Sequence, residues 1–139
     1  MDRMIIGTGV DITEVRRLRQ AIEKWGDDFL QRIFTQEELE NAKTRGSLPR
    51  HSSIVESLRS KEGRGLYQHL AGRFAGKEAV FKALGDKELN WKDVEILNDK
   101  EGKPYCKLLN GRGRSLEVHI SISHVKAYAV AQAIITQKA

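Results

Sequence analysis

Two acidic residues that lie far apart in the sequence have surroundings suited to phosphate chemistry. Asp11 follows an apolar segment with two glycines, and Glu78 precedes Lys82 by four residues in a central segment. If that segment is helical, Glu78 and Lys82 lie on one face, about one turn apart. Mg²⁺ binds one or two protein carboxylates and fills its other positions with water and phosphate oxygens. Asp11 and Glu78 together therefore suit a magnesium site.

The same residues also have simpler structural interpretations. Glu78 and Lys82 would form an ordinary surface ion pair, which contributes only about 0.3–0.5 kcal/mol. Asp11 would end a strand and accept hydrogen bonds from the first amides of the following helix. His124 would be a turn histidine. Spacing alone does not decide between these interpretations and a catalytic site.

The first predicted strand must position Asp11. From residue 4 to residue 12, apolar residues alternate with Gly7, Gly9 and Asp11, so Asp11 lies on the glycine face of the strand. Thr13 can cap the helix that follows. The exposed side of that helix carries three arginines, which are Arg16, Arg17 and Arg19.

Two further helices are predicted before the C-terminal strands. A capping-box pattern at Thr35 begins a short helix, and the apolar period over residues 67–84 predicts a long helix that ends at Gly85. Gly72 and Gly76 lie inside the long helix, where each costs about 1 kcal/mol relative to alanine. We therefore expect another backbone or a ligand to approach this helix closely.

The C-terminal half predicts two β-hairpins. The first joins residues 93–97 and 105–109, and the second joins 117–124 and 127–135. Strands that pair as hairpins, combined with helices, predict an α+β fold around an antiparallel sheet. In the second hairpin the polar residues His119, Ser121 and Ser123 share one strand face.

Length and composition limit the possible classes of protein. A chain of 139 residues suits a single domain, residues 1–139, in which the Ser-, Arg- and Gly-rich stretch 44–65 is predicted to be a mobile insertion. The apolar N-terminal run is too short for a signal sequence or membrane span. The single cysteine, Cys106, excludes an internal disulfide. We therefore expect a cytoplasmic protein without membrane contact.

Four segments resemble the holo-acyl-carrier-protein synthases of the 4'-phosphopantetheinyl transferase family. They are GTGVDITEVRR at 7–17, LAGRFAGKEAVFK at 70–82, GKPY at 102–105 and HISISH at 119–124. The four motifs occur in the family's order over nearly the whole chain. The resemblance implies the fold of that family, a homotrimer with sites at subunit interfaces, and a role in fatty-acid biosynthesis.

The resemblance also implies a reaction and its residues. The enzyme would transfer the 4'-phosphopantetheine group of coenzyme A to a serine of apo acyl carrier protein and release adenosine 3',5'-bisphosphate. Asp11 and Glu78 would bind Mg²⁺, and Lys82 would act beside the phosphates. The general base stays open among Lys82, Glu78 and water. The implied coenzyme A contacts are Lys77, Lys82, Ser123 and His124.

The net charge of +5 favours an acidic partner. Within the family this partner is the acidic acyl carrier protein, and Arg16 and Arg17 offer the complementary charge. A nucleic-acid or nucleotide-binding module is the first alternative, although only 6% of residues are aromatic and no stacking platform is evident. An inactive relative is the second alternative, because the turn after Gly85 is short and carries Asp86 and Glu88 instead of glycines.

Overall fold

The structure, a computed structural model, describes residues 4–46, 48, 53–59, 63–86, 88–109 and 111–138. These residues form an α+β fold with four α-helices and two antiparallel sheets. The elements in chain order are β1 (Ile5–Glu14), α1 (Val15–Ile33), α2 (Gln36–Arg45), α3 (Ile54–Arg59), α4 (Arg64–Leu84), β2 (Val94–Asn98), β3 (Pro104–Leu108), β4 (Leu116–His124) and β5 (Tyr128–Gln137).

The larger sheet has the strand order β1-β5-β4, and the smaller sheet is the β2-β3 hairpin. Both predicted hairpins are confirmed. Asp11 pairs with Ala131 of the central strand, which pairs with Ile122 on its other side. The strand that carries Asp11 therefore pairs directly with β5, the second strand of the C-terminal hairpin.

Helix α4 covers one face of the larger sheet at very short range. A Cβ atom added to Gly7 or Gly9 would collide with a backbone carbonyl of α4, at Ala83 and Ala79 respectively. The glycine face of β1 thus lies against the helix. At the helix glycines the close neighbours are isoleucine side chains and not the predicted backbone or ligand, since a Cβ at Gly76 would lie 2.6 Å from Ile96 Cδ1.

The other face of the larger sheet is open in the single chain and is partly apolar. Val10 is 59% exposed and Ile12 is 66% exposed, and both lie on β1. Tyr128 and Val130 on β5 are also exposed. We call these four residues the open sheet face. The periodicity assigned the strand faces correctly, but the apolar face is the exposed one.

Three helix ends test the predicted capping. Thr35 caps α2 as predicted, because its hydroxyl accepts from Glu38 N while the Glu38 carboxylate accepts from Thr35 N. Gly85 ends α4 with a φ of 64°, a left-handed conformation that favours glycine. The prediction for Thr13 is wrong. Thr13 lies within β1, and Glu14 is the residue that precedes α1.

The predicted mobile insertion at 44–65 contains a helix. Ile54 and Leu58 of α3 are buried in the core formed with α1 and the first half of α4. The weak apolar period of this stretch was therefore a helical signal, and residues 54–59 are part of the packed core. The prediction for residues 47, 49–52 and 60–62 lies outside the described part of the chain. Among the described helices, none is both long and apolar enough to cross a membrane.

Candidate active site

Asp11 and Glu78 line a common cavity of about 420 Å³. Asp11 comes from the glycine face of β1, and Glu78 comes from α4, which contacts that face at Gly9. The close packing of strand and helix therefore brings the two carboxylates together, as predicted. The remaining walls of the cavity are formed by Ile12, Thr13, Glu14, Arg17, Leu18, Ala21, Phe29, Phe74 and Tyr128.

Both oxygens of the Asp11 carboxylate have hydrogen-bond donors. Lys82 Nζ donates to Oδ1 at 3.1 Å, and Thr13 Oγ1 donates to Oδ2 at 2.9 Å. Lys82 also donates to the carbonyl oxygen of Val10 at 3.0 Å. The Lys82 side chain is 55% exposed, whereas that of Asp11 is 16% exposed. Lys82 thus orients Asp11 and still presents its charge at the surface.

The electrostatics of Glu78 differ from those of an ordinary surface carboxylate. Burial raises its pKa, repulsion from Asp11 raises it further, and Lys82 acts in the opposite direction. Two carboxylates held close enough to repel one another favour a bound cation. No group of three or more metal-binding side chains occurs among the described residues. The donor set fits Mg²⁺, which needs few protein ligands when water and phosphate oxygens complete its shell.

Lys77 does not lie at this site, which corrects the prediction that it contacts coenzyme A. Its side chain is fully buried and forms a 2.6 Å ion pair with Glu38 of α2. Its ammonium also donates to the carbonyl oxygens of Trp91 and Val94. Residues 77 and 78 are about 100° apart around a helix, so Glu78 can face the cavity while Lys77 faces the core.

His124 and Ser123 are exposed at the end of β4, and neither lines the cavity of Asp11 and Glu78. His124 shares the strand face of Ile122, which packs against Gly72 of α4. Ser123 lies on the opposite face with Val130, its partner on β5. The structure therefore separates these two predicted ligands from each other and from the carboxylates.

A buried basic cluster near His124 was not predicted as a site. It consists of His69 and Arg73 on α4, and we call it the basic cluster. Burial, followed by the positive charges of Arg73, Arg45 and His124, lowers the pKa of His69 to about 3. Burial lowers the pKa of Arg73 to about 10. His69 Nε2 and Arg73 Nε have no hydrogen-bond partner in the described residues, although Arg73 Nη2 donates to Asn98 Oδ1. The sequence signal was Arg73 itself, within the motif LAGRFAGKEAVFK.

The arginines of α1 differ in their relation to the cavity. Arg16 and Arg17 are both exposed, but only Arg17 lines the wall beside Asp11. Phe29 and Phe74 form an apolar part of the same cavity. They were not predicted, because a phenylalanine at helical spacing is usually a core residue. The cavity thus combines acidic, basic and apolar walls.

Comparison with known proteins agrees with this geometry. Residues 7–133 match the model of the 4'-phosphopantetheinyl transferase superfamily. A holo-[acyl-carrier-protein] synthase of Protochlamydia amoebophila is 42% identical over 137 residues, which cover 94% of this chain and 98% of the relative. The corresponding protein of Alkaliphilus metalliredigens is 41% identical over 141 residues, which cover 96% and 100%.

Solved structures show the same fold. A holo-(acyl-carrier-protein) synthase from Bacillus anthracis, in complex with CoA (3',5'-ADP), is 36% identical and has a TM-score of 0.74, with 97% of this chain and 99% of that chain covered. The holo-ACP-synthase of Plasmodium yoelii is 28% identical, also with a TM-score of 0.74, and both chains are fully covered. The chain therefore belongs to the holo-[acyl-carrier-protein] synthase enzymes of the 4'-phosphopantetheinyl transferase superfamily.

Proposed function

We propose that this enzyme transfers the 4'-phosphopantetheine group of coenzyme A to a serine of an apo acyl carrier protein, with Mg²⁺ as cofactor. The observation that carries the proposal is the cavity in which Asp11 and Glu78 meet beside Arg17. The names of the relatives support the reaction, and the Bacillus anthracis structure supports coenzyme A as the donor. We expect the reaction to occur in the cytoplasm and to serve fatty-acid biosynthesis.

In the proposed reaction the serine oxygen forms a bond to the phosphorus that carries the pantetheine group. The phosphoanhydride bond of coenzyme A breaks, adenosine 3',5'-bisphosphate leaves, and the serine loses its proton. Mg²⁺ held by Asp11 and Glu78 would neutralise phosphate charge and orient the group for in-line attack. Lys82 contributes a positive charge beside the same phosphates and keeps Asp11 in position through the 3.1 Å contact.

The carrier protein is proposed to dock on the α1 side of the cavity. Arg17 lies at the cavity wall and Arg16 is exposed next to it, so an acidic helix finds complementary charge there. Phe29 and Phe74 offer apolar contacts close to the carboxylates. This arrangement would bring the carrier's serine next to the bound phosphates.

We also propose that the enzyme is a trimer whose subunits complete one another's sites. His69 of the basic cluster and Glu78 are nine residues apart on α4, which separates them by about 13 Å along the helix axis. His124 lies beside the basic cluster and electrostatically affects His69. The unpartnered nitrogens of the cluster suit phosphate oxygens of coenzyme A. The neighbouring subunit would supply this end of the donor site.

The open sheet face is the surface proposed for this association. Val10 and Ile12 expose more than half of their surface. This is unusual for two β-branched residues that lie next to each other on one face of a strand. Neighbouring copies would bury them. Because β5 continues the same face, the contact would include both β1, which carries Asp11, and β5, which lies next to the strand of His124.

The proposed reaction is tested by mass spectrometry of the carrier. The enzyme is incubated with coenzyme A, Mg²⁺ and an apo acyl carrier protein, and we expect the carrier to gain the phosphopantetheine mass while adenosine 3',5'-bisphosphate is released. Chelation of Mg²⁺ should stop both changes, and its return should restore them. An unmodified carrier under every metal condition would refute the enzyme activity, and modification in excess chelator would refute the metal requirement.

A further inference from the structure

The ammonium group of Lys77 has an oxygen partner for each of its three hydrogens. Glu38 Oε1 lies at 2.6 Å, the carbonyl oxygen of Val94 at 2.6 Å and that of Trp91 at 2.9 Å. An ammonium group has three donors, so none remains for a ligand. Lys77 therefore ties α4 to α2 and to the start of β2.

Glu38 extends this connection on the other side. Its Oε1 also accepts from Thr35 N at 2.9 Å, and its Oε2 accepts from Ile96 N at 2.8 Å. Thr35 Oγ1 in turn donates to Glu95 Oε2 at 2.7 Å. Three elements, the first turn of α2, the middle of α4 and strand β2, thus meet at one buried pair of charges.

Stability alone is a weak explanation for this pair. Burying two charges has a large desolvation cost, and apolar residues of similar size often stabilise a fold equally well. A hydrogen-bonded pair differs from apolar packing because its geometry is directional. The main effect of the pair is therefore to fix the position and rotation of α4, and its effect on the stability of the fold is smaller.

The contact of α4 with β1 by itself defines the helix rotation poorly, whereas isoleucine side chains of β2 and β4 pack against Gly72 and Gly76 farther along the helix. The helix meets β1 through the backbone of Ala79 and Ala83 against Gly7 and Gly9. Such small residues give a smooth contact without interlocking side chains. A carboxylate about 6 Å from a helix axis moves about 2 Å when the helix rotates by about 20°. A rotation of this size would displace Glu78 from Asp11.

We propose that Glu38 and Lys77 are positioning residues for the transfer reaction, which hold α4 in the rotation that places Glu78 opposite Asp11. Lys77 precedes Glu78 directly, so the anchor acts on the helical turn that carries the carboxylate. Neither residue touches the substrates. The inference rests on the proposed function for its catalytic meaning, but the placement of Glu78 can be measured separately.

Three variants remove the anchor to different degrees. Glu38→Gln keeps the size of the side chain and one acceptor oxygen, but it loses the charge and the acceptor for one of the two backbone amides. Lys77→Met removes the ammonium and leaves a carboxylate buried. The double variant Glu38→Gln/Lys77→Met removes both charges together, so it should fold better than Lys77→Met alone. Leu58→Ala is the control, because it truncates a buried core residue of α3 and leaves the pair intact.

The test uses Mn²⁺ binding measured by electron paramagnetic resonance, together with steady-state kinetics. In variants that are folded by circular dichroism, we expect Mn²⁺ to bind about tenfold more weakly or worse, as for other changes to groups that orient metal ligands. We expect kcat to fall at least about tenfold, while the KM for the carrier, which docks on α1, stays unchanged. Leu58→Ala should keep wild-type Mn²⁺ affinity and kcat at a temperature where it is folded.

Wild-type Mn²⁺ affinity and kcat in folded Glu38→Gln and double variants would overturn the positioning role. A loss that Leu58→Ala shares would assign the effect to stability and overturn it equally. If Mn²⁺ binding depends on the pair but the wild type modifies no carrier, the proposed function fails and the positioning role stands. Glu38→Gln, which keeps the size of the side chain, keeps the test valid if Lys77→Met does not fold.

Discussion

Asp11 illustrates how a residue's role depends on contacts from distant segments. Its carboxylate is held by Thr13, two residues away, and by Lys82 from the end of α4. The strand pattern predicted the face on which Asp11 lies. It could not show that Lys82 forms an ion pair with Asp11, since its spacing from Glu78 on the helix suggested a pair with Glu78. That contact depends on how α4 crosses β1.

Replacing Lys82 tests its proposed electrostatic role. In Lys82→Met we expect kcat to fall by about 10²-fold, because a preorganised positive charge beside the phosphates is lost. The free energy of unfolding should change by less than about 1 kcal/mol, since the ion pair with Asp11 involves an exposed lysine. Both values are obtained from carrier modification rates and urea unfolding.

Lys100→Met is the control for this change, because Lys100 is an exposed lysine in the β2-β3 turn. It should keep wild-type kcat. A Lys82→Met enzyme as fast as this control would contradict the role given to Lys82.

His69 should make the protein sensitive to acid. Its pKa is about 3 in the folded state and 6.5 without the protein environment, mainly because of burial. Between these values the unfolded chain binds a proton that the folded chain does not, so stability falls as the pH falls from about 6.5 to about 3. The slope contributed by this group is at most about 1.4 kcal/mol per pH unit. Above pH 6.5 it contributes nothing.

Urea unfolding as a function of pH measures this effect. His69→Gln should lose stability less steeply below pH 6.5 than the wild type. Identical slopes for His69→Gln and the wild type would show that the imidazole is protonated in the folded protein.

Among the elements, the contact between β1 and α4 determines the geometry of the site. Gly9→Ala should destabilise the protein by about 3 kcal/mol or more, because the new methyl group meets the carbonyl of Ala79, which cannot move without shifting the helix. Gly65→Ala is the matched control. Its Cβ would meet nothing within 4 Å in the first turn of α4, so we expect stabilisation of up to about 1 kcal/mol.

Thermal unfolding of both glycine variants measures these predicted changes in stability. A Gly9→Ala protein as stable as the wild type would mean that β1 and α4 are farther apart than described. Its metal affinity should fall together with its stability, because the same contact holds Asp11 near Glu78.

The sequence predicted elements better than it predicted their burial. Periodicity identified α4 and both hairpins, and the motifs around Asp11 and Glu78 indicated the site. Lys77 was misassigned because a lysine in a polar motif is ordinarily exposed, and its partner Glu38 is 39 positions earlier in the chain. Thr13 was misassigned because a helix cap and a strand residue have the same local pattern. Both errors concern tertiary partners, which local sequence does not encode.

At the scale of the whole molecule, the open sheet face predicts association. Val10→Lys should convert the proposed trimer into monomers, because the charge would be buried without a partner. Light scattering coupled to size exclusion should show this change, and carrier modification should be lost although Asp11 and Glu78 are intact. Val125→Lys, at an exposed turn residue, should leave the oligomer unchanged. An active Val10→Lys monomer would contradict shared sites.

The most direct test of the account is the modification of apo acyl carrier protein by carboxylate variants, followed by mass spectrometry. Asp11→Asn and Glu78→Gln should be folded and should modify the carrier at least about 10²-fold more slowly than the wild type. Glu37→Gln, which removes an exposed carboxylate of α2, should keep the full rate. Wild-type rates in both Asp11→Asn and Glu78→Gln would contradict the central claim that this pair forms the transfer site.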